Sequence, residues 1–289
     1  MRRACAAFTL AAAFAFVQLA CRDAENQNQN RPDNTNAARA DATPAATPAP
    51  EHPLRRQIEE EARQNPDDPN THYNLGNVYF QERKYEEALG EYQKVILANP
   101  NDADTHGRIG NAHFALKRHA EAVEAYKRAA GADPKNAEFQ YLLGNAYVEL
   151  RRHPEAAEAF REATRLNPKH PDAFFNLGNA YDALGMYKEE AAALQQAVRL
   201  NAQDADAYFN LGNAYVKLNR AKDAAGAYQR AVSLNPGDAV ARLTLGRTYL
   251  KAGDRKGAEA QYQALKSIDP NAAEQLLSEI NALQTPGAQ

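Results

Sequence analysis

Tryptophan is missing from this 289-residue chain, and cysteine and serine are nearly so. The two cysteines, Cys5 and Cys21, lie within the first 21 residues, and the three serines are Ser233, Ser267 and Ser278. With no thiol beyond residue 21, a disulfide scaffold, a Cys-rich zinc site and a catalytic thiol are not expected in the folded part. No Gly-x-Ser-x-Gly run supplies the strained nucleophile of an α/β-hydrolase, and no glycine-rich loop is built to cradle phosphate. A basic excess is lacking too: 34 basic residues face 37 acidic ones, a net charge of −3. Binding nucleic acid by neutralising phosphates is therefore not expected. What remains is ordinary for a folded chain, with 44% hydrophobic and 25% charged residues.

The first 53 residues read as address and tether. Met1-Arg2-Arg3 precede an apolar run from Ala4 to Ala20, the basic-then-apolar order of a secretory signal. Cys21 stands at the end of the run, after Leu19-Ala20, and Arg22-Asp23 open a polar stretch. This arrangement resembles the lipobox of bacterial lipoproteins, in which the cysteine is acylated and becomes the new N-terminus. It departs from that pattern at Gln18, where a small or aliphatic residue is usual. Cleavage after the small residues near Ala13–Ala15, or an uncleaved anchor, stays open beside it. The expected division is a signal peptide over 1–20 and a lipid-anchored, disordered tether over 21–53.

From Arg22 to Pro53 there is no Val, Ile, Leu, Met, Phe or Tyr, so nothing there offsets chain entropy by burial. Such a tether has a root-mean-square span of about 30 Å and a limit of about 110 Å. By resemblance to known sorting signals, Arg22 after the cysteine points to the periplasmic face of the outer membrane in a bacterial cell envelope.

Repetition dominates the rest. Leu-Gly or Ile-Gly pairs end at Gly76, Gly110, Gly144, Gly178, Gly212 and Gly246, always 34 residues apart. Prolines recur in the same register at Pro66, Pro100, Pro134, Pro168, Pro236 and Pro270, with Ala202 the one break. Small residues at Ala88, Ala122, Ala156, Ala224 and Ala258 are each followed four later by an aromatic. This pattern closely resembles the tetratricopeptide-repeat family. The implied units are 69–102, 103–136, 137–170, 171–204, 205–238 and 239–272, flanked by a capping helix over 54–68 and a closing helix and tail over 273–289. The expected fold is all-α, a right-handed α-solenoid of helix-turn-helix repeats.

Residue chemistry supports that expectation independently. Ala207, Leu211, Ala214, Tyr215 and Leu218 follow helical spacing along one face, and Ala221, Ala224, Ala225, Tyr228, Ala231 and Val232 along a second. Glycine in a helix costs about 1 kcal/mol, so six at one phase need a close approach between helices. Asp68, Asp102, Asn136, Asp204 and Asp238 are placed as N-caps. The fourth unit departs most, with Glu190 where alanine is expected, and softer packing is predicted there.

Asparagine follows the repeat glycine in five units, at Asn77, Asn111, Asn145, Asn179 and Asn213, with Arg247 last. Two residues before the glycine stand Asn74, Arg108, Leu142, Asn176, Asn210 and Thr244, and three before it Tyr73, Tyr141, Phe175 and Phe209 among others. The resemblance implies that these positions face a groove. It also implies that the asparagine ladder, with Asn176 and Asn210 beside it, grips an extended peptide, while Tyr141, Phe175 and Phe209 are either walls of that groove or packing at its edge. Carboxamides suit that task, since each offers an acceptor and two donors to a peptide unit; capping of local polar groups is the alternative.

Asp104, Glu138, Asp172 and Asp206 border the same groove or serve their helix dipoles. The family's basic clamp for C-terminal carboxylates is lacking, because only Arg108 is basic at its phase. His106, His113, His119 and His153 occupy phases that carry aromatics in other units, so packing is expected and no metal. The sequence thus predicts a non-catalytic interaction scaffold with a protein partner, a membrane contact through Cys21, no cofactor, no small-molecule substrate and no nucleic acid. The alternative is an outer-membrane lipoprotein that assembles a pilus secretin or outer-membrane protein complex.

Overall fold

The computed structural model describes residues 55–282. The signal peptide, Cys21, the tether, Leu54 and the tail after Ala282 lie outside the described residues. Fourteen helices follow in order: α1 (Arg55–Gln64), α2 (Pro69–Gln81), α3 (Tyr85–Ala98), α4 (Ala103–Ala115), α5 (His119–Ala132), α6 (Ala137–Glu149) and α7 (His153–Leu166). Then come α8 (Pro171–Ala183), α9 (Tyr187–Leu200), α10 (Ala205–Lys217), α11 (Ala221–Leu234), α12 (Ala239–Lys251), α13 (Arg255–Leu265) and α14 (Pro270–Ala282). No strand occurs among the described residues. Even-numbered helices from α2 to α12 pack against the helix that follows, and each pair packs on the next. The result is an all-α repeat solenoid.

Local chemistry sets the starts and stops. Asp68, Asp102, Asn136, Asp204 and Asp238 accept backbone N–H groups at the heads of α2, α4, α6, α10 and α12. In the fourth unit His170 takes that place, its Nδ1 accepting from the Ala173 N–H at 3.3 Å. The even helices from α2 to α12 are each followed by one residue with positive φ, where the chain reverses: Arg83, Lys117, Arg151, Gly185, Asn219 and Gly253.

The repeat glycines admit the side chain of the second helix. A Cβ on Gly76, Gly110, Gly144 or Gly212 would lie 2.5 Å from a ring carbon of Tyr92, Tyr126, Phe160 or Tyr228. At Gly178 the neighbour is Leu194, and at Gly246 it is Leu276 of α14 rather than Tyr262 of its own unit.

Two departures from the repeat pattern stand out, and the first is an exchange of volume between neighbours. Gly107 stands where other units carry an aromatic or leucine, and Phe139 of the next unit fills its space, with ring carbon Cε1 2.7 Å from where a Cβ would be. In the fourth unit Glu190 replaces alanine while Leu194 replaces an aromatic one turn later; Glu190 is 2% exposed and its Oε2 has no hydrogen-bond partner. The closing helix begins at Pro270, inside the span assigned to the sixth unit, because Asp269 accepts from the N–H groups of Asn271 and Ala272.

Candidate functional site

The first helices place the five asparagines in one phase, and all five are half-buried. Their side-chain oxygens are already engaged. Tyr92 Oη donates to Asn77 Oδ1 at 2.8 Å, Tyr126 Oη to Asn111 Oδ1 at 2.7 Å, and Tyr228 Oη to Asn213 Oδ1 at 2.7 Å. Burial pushes the pKa of all three phenols up, so they remain protonated donors. Asn145 and Asn179 have no such tyrosine. Their oxygens accept instead from Asn176 Nδ2 at 3.0 Å and Asn210 Nδ2 at 2.9 Å, across to the next first helix. The ladder is thus continuous from α6 through α8 to α10, and with the oxygens taken the groups left to a partner are Nδ2 donors, that of Asn145 shared with the Tyr141 hydroxyl.

Asp104, Glu138, Asp172 and Asp206 sit seven residues before a ladder asparagine, two turns away on the same helix face. One carboxylate per unit therefore accompanies the ladder in units two to five. Each stands in the first turn of its helix, where the dipole also favours an acid. The cations on these helices are committed: Lys217 of α10 pairs with Asp182 of α8, and Arg108 Nε donates to Tyr73 Oη at 3.3 Å. At the sixth position Arg247 pairs with Glu279 of α14, with Nη2 to Oε1 at 2.7 Å, so the ladder ends in an ion pair with the closing helix.

The aromatics beside the ladder are mostly buried. Phe175 and Phe209 are 5% and 7% exposed, within a core cluster, and Tyr141 is 9% exposed with its ring 4.7 Å from that of His170. Their rings pack between helices and have little surface to offer a partner. Asn176 and Asn210 are likewise spent on neighbouring rungs rather than left free.

Sequence reasoning did not detect two features that recur by phase. Tyrosine lies 15 residues after the asparagine it bonds, and the substitute asparagine 31 after. Four residues before the glycine, His72, His106 and Arg242 bond the carbonyls of Pro66, Pro100 and Pro236 at 2.7–2.8 Å, clasping the loop between units. Among the described residues no group of three His, Cys, Asp or Glu is placed to hold a metal, and no helix is long and apolar enough to cross a membrane.

Comparison with known proteins places this geometry in context. The family described as the cilia and flagella-associated protein 70 C-terminal domain, a tetratricopeptide domain, matches residues 9–283. No curated protein matches the chain. Among solved structures, YrrB, described as a tetratricopeptide protein with an unusual peptide-binding site, is similar at 23% identity and a TM-score of 0.58, covering 64% of this chain and 95% of its own. PilF of Pseudomonas aeruginosa is similar at 23% identity and TM-score 0.56, covering 73% and 97%. The C-terminal part of a repeat protein from Cytophaga hutchinsonii reaches TM-score 0.66 at 16% identity, covering 77% and 92%.

Proposed function

The chain belongs to the tetratricopeptide family described by the cilia and flagella-associated protein 70 C-terminal domain, and on that premise we propose that it is a non-catalytic scaffold holding an extended partner segment along its first helices. The observation that carries this reading is the ladder: five carboxamides in one phase, each held by its oxygen. Their donors face acceptors that a partner backbone supplies. The carboxylates at Asp104, Glu138, Asp172 and Asp206 add preference for basic side chains. The peptide-binding site described for YrrB supports the same use of this fold.

Each net hydrogen bond gives about 0.5–1.5 kcal/mol, and association costs on the order of 4–15 kcal/mol. Affinity near micromolar follows, unless apolar contacts or concentration at a membrane add to it. Cys21, acylated at the periplasmic face of a bacterial outer membrane, would supply that concentration. Retention of the wild-type chain in the membrane fraction, with release of Cys21→Ala, tests the anchor.

The scaffold reading is tested by affinity capture with the tagged full chain from detergent-solubilised cells, beside Asn145→Ala/Asn179→Ala/Asn213→Ala. Partners lost in the triple variant support the ladder as the working surface. Partners retained equally well overturn it and favour the second reading, a lipoprotein that assembles a pilus secretin or outer-membrane complex, for which the likeness to PilF over 73% of this chain is the support.

A further inference from the structure

The ladder is held by two different clamps, and the choice between them follows one rule along the chain. In units one, two and five a tyrosine hydroxyl holds the rung from within the unit. In units three and four that residue is Phe160 or Leu194, neither of which carries a hydroxyl. In those two cases the residue two before the next glycine is asparagine, and its Nδ2 reaches the same oxygen. After the tyrosine-clamped rungs, that position carries Arg108, Leu142 and Thr244 instead. Arg108 is turned to Tyr73, and leucine has no donor to give.

From this alternation we infer that Asn176 and Asn210 are positioning residues, which fix the rungs Asn145 and Asn179 in place of the hydroxyls that Phe160 and Leu194 lack. The ring of Phe160 lies over Gly144 with its Cε1, Cδ1 and Cζ at 2.5, 2.6 and 2.9 Å from the glycine's Cβ position. Tyr126 lies over Gly110 at 2.5, 2.6 and 3.0 Å. Only the oxygen is missing; the ring is already where it would need to be.

The two clamps do different work. A tyrosine fixes a rung within its own repeat, whereas an asparagine fixes it from the next one, joining α6 to α8 and α8 to α10 through the ladder itself. Either clamp occupies the carboxamide oxygen, so what a rung has left to offer is its N–H₂. The rungs therefore select acceptors, which in an extended chain are its carbonyl oxygens. That consequence rests on the scaffold reading above; the clamp does not.

The test is an exchange of one clamp for the other in the purified full chain. Asn176→Leu leaves Asn145 without a donor, yet it introduces a residue the chain itself carries at this phase, Leu142. Adding Phe160→Tyr then reproduces the arrangement of the second unit, Tyr126 with Leu142. The readout is the order parameter of the Asn145 side-chain N–H₂ from NMR relaxation, with urea unfolding alongside to confirm a folded chain. Asn176→Leu is expected to lower it, because the carboxamide loses the donor that fixes its oxygen. The double variant is expected to restore it to the wild-type value. An unchanged order parameter in Asn176→Leu, or no recovery on adding Phe160→Tyr to a folded chain, overturns the inference. No partner is needed for this measurement. Its failure would therefore leave the scaffold reading standing, and loss of the scaffold reading would leave the clamps in place.

Discussion

Two glycines of the fifth unit show how a neighbouring atom decides the sign of a substitution. A methyl on Gly212 would lie 2.5 Å from Cε1 of Tyr228, a ring that is buried and tied to Asn213. Gly226, in the middle of α11, has nothing within 4 Å of its Cβ position. Gly212→Ala is expected to destabilise by about 1–3 kcal/mol, overpacking outweighing alanine's helix preference. Gly226→Ala is expected to stabilise by about 0.5–1 kcal/mol, since only the backbone entropy of glycine is removed. Urea unfolding of both variants checks the pair, and equal signs would refute the close-approach account.

Glu190 makes a second prediction at this scale. Burial first, and the negative charge of Asp182 second, raise its carboxyl from 4.5 to about 8, against the opposing Lys217. The folded chain therefore keeps a proton that the unfolded chain releases. Stability from this group is full below about pH 4.5 and is lost as pH rises towards 8. Glu190→Gln removes the titration. Its stability advantage over wild type is expected to grow between about pH 5 and about pH 9, by on the order of a few kcal/mol. Parallel pH profiles for the two chains would show that Glu190 is ionised when folded.

At the scale of the helix, the fourth unit is where regular packing is interrupted. Its glycine meets the branched carbons of Leu194 instead of a ring, and its second helix buries a carboxyl oxygen with no partner. The backbone amides of α9 are expected to exchange faster than those of α7 and α11, and Glu190→Ala/Leu194→Tyr is expected to bring them level. Equal protection of the three helices in wild type would remove the case for a soft unit.

The helices themselves were legible because each depends on residues near in sequence: a cap at Asp204, an apolar stripe from Ala207 to Leu218, a reversal at Asn219. The 34-residue period likewise showed that Gly144 and Gly212 mark a close approach between helices, though not that Phe160 and Tyr228 are what approaches. What the period concealed were the compensations. Phe139 filling the space at Gly107 and Asn176 answering Phe160 are relations between departures from the pattern. A reading that averages over repeats sees each only as an irregularity. The ladder's phase could be read in the same way, but its chemistry could not. An asparagine and the tyrosine 15 residues later sit on different helices, and only their packing shows that the oxygen is already taken. For the same reason the period alone left Phe175 and Phe209 between groove wall and packing, and their burial in the core shows up only in the structure.

Over the whole described body, extensive packing joins only helices that are neighbours or next-neighbours in the chain. Stability in such a stack is close to a sum of unit and interface contributions, so a local loss stays local. The closing helix offers the cleanest test. Leu276 occupies the space over Gly246, Ile280 is buried in the same cluster as Leu243 and Leu265, and Glu279 pairs with Arg247. Ending the chain after Asp269 removes all three contacts at once. Exposing what Leu276 and Ile280 cover costs about 3–6 kcal/mol, charged almost wholly to α12 and α13. Amide exchange in those two helices is expected to approach that of open chain, while α4 and α5 keep their protection. Protection lost equally at both ends would mean that the solenoid folds as one cooperative block. The ladder would then be a single rigid surface, rather than a series of rungs that a partner can engage in turn.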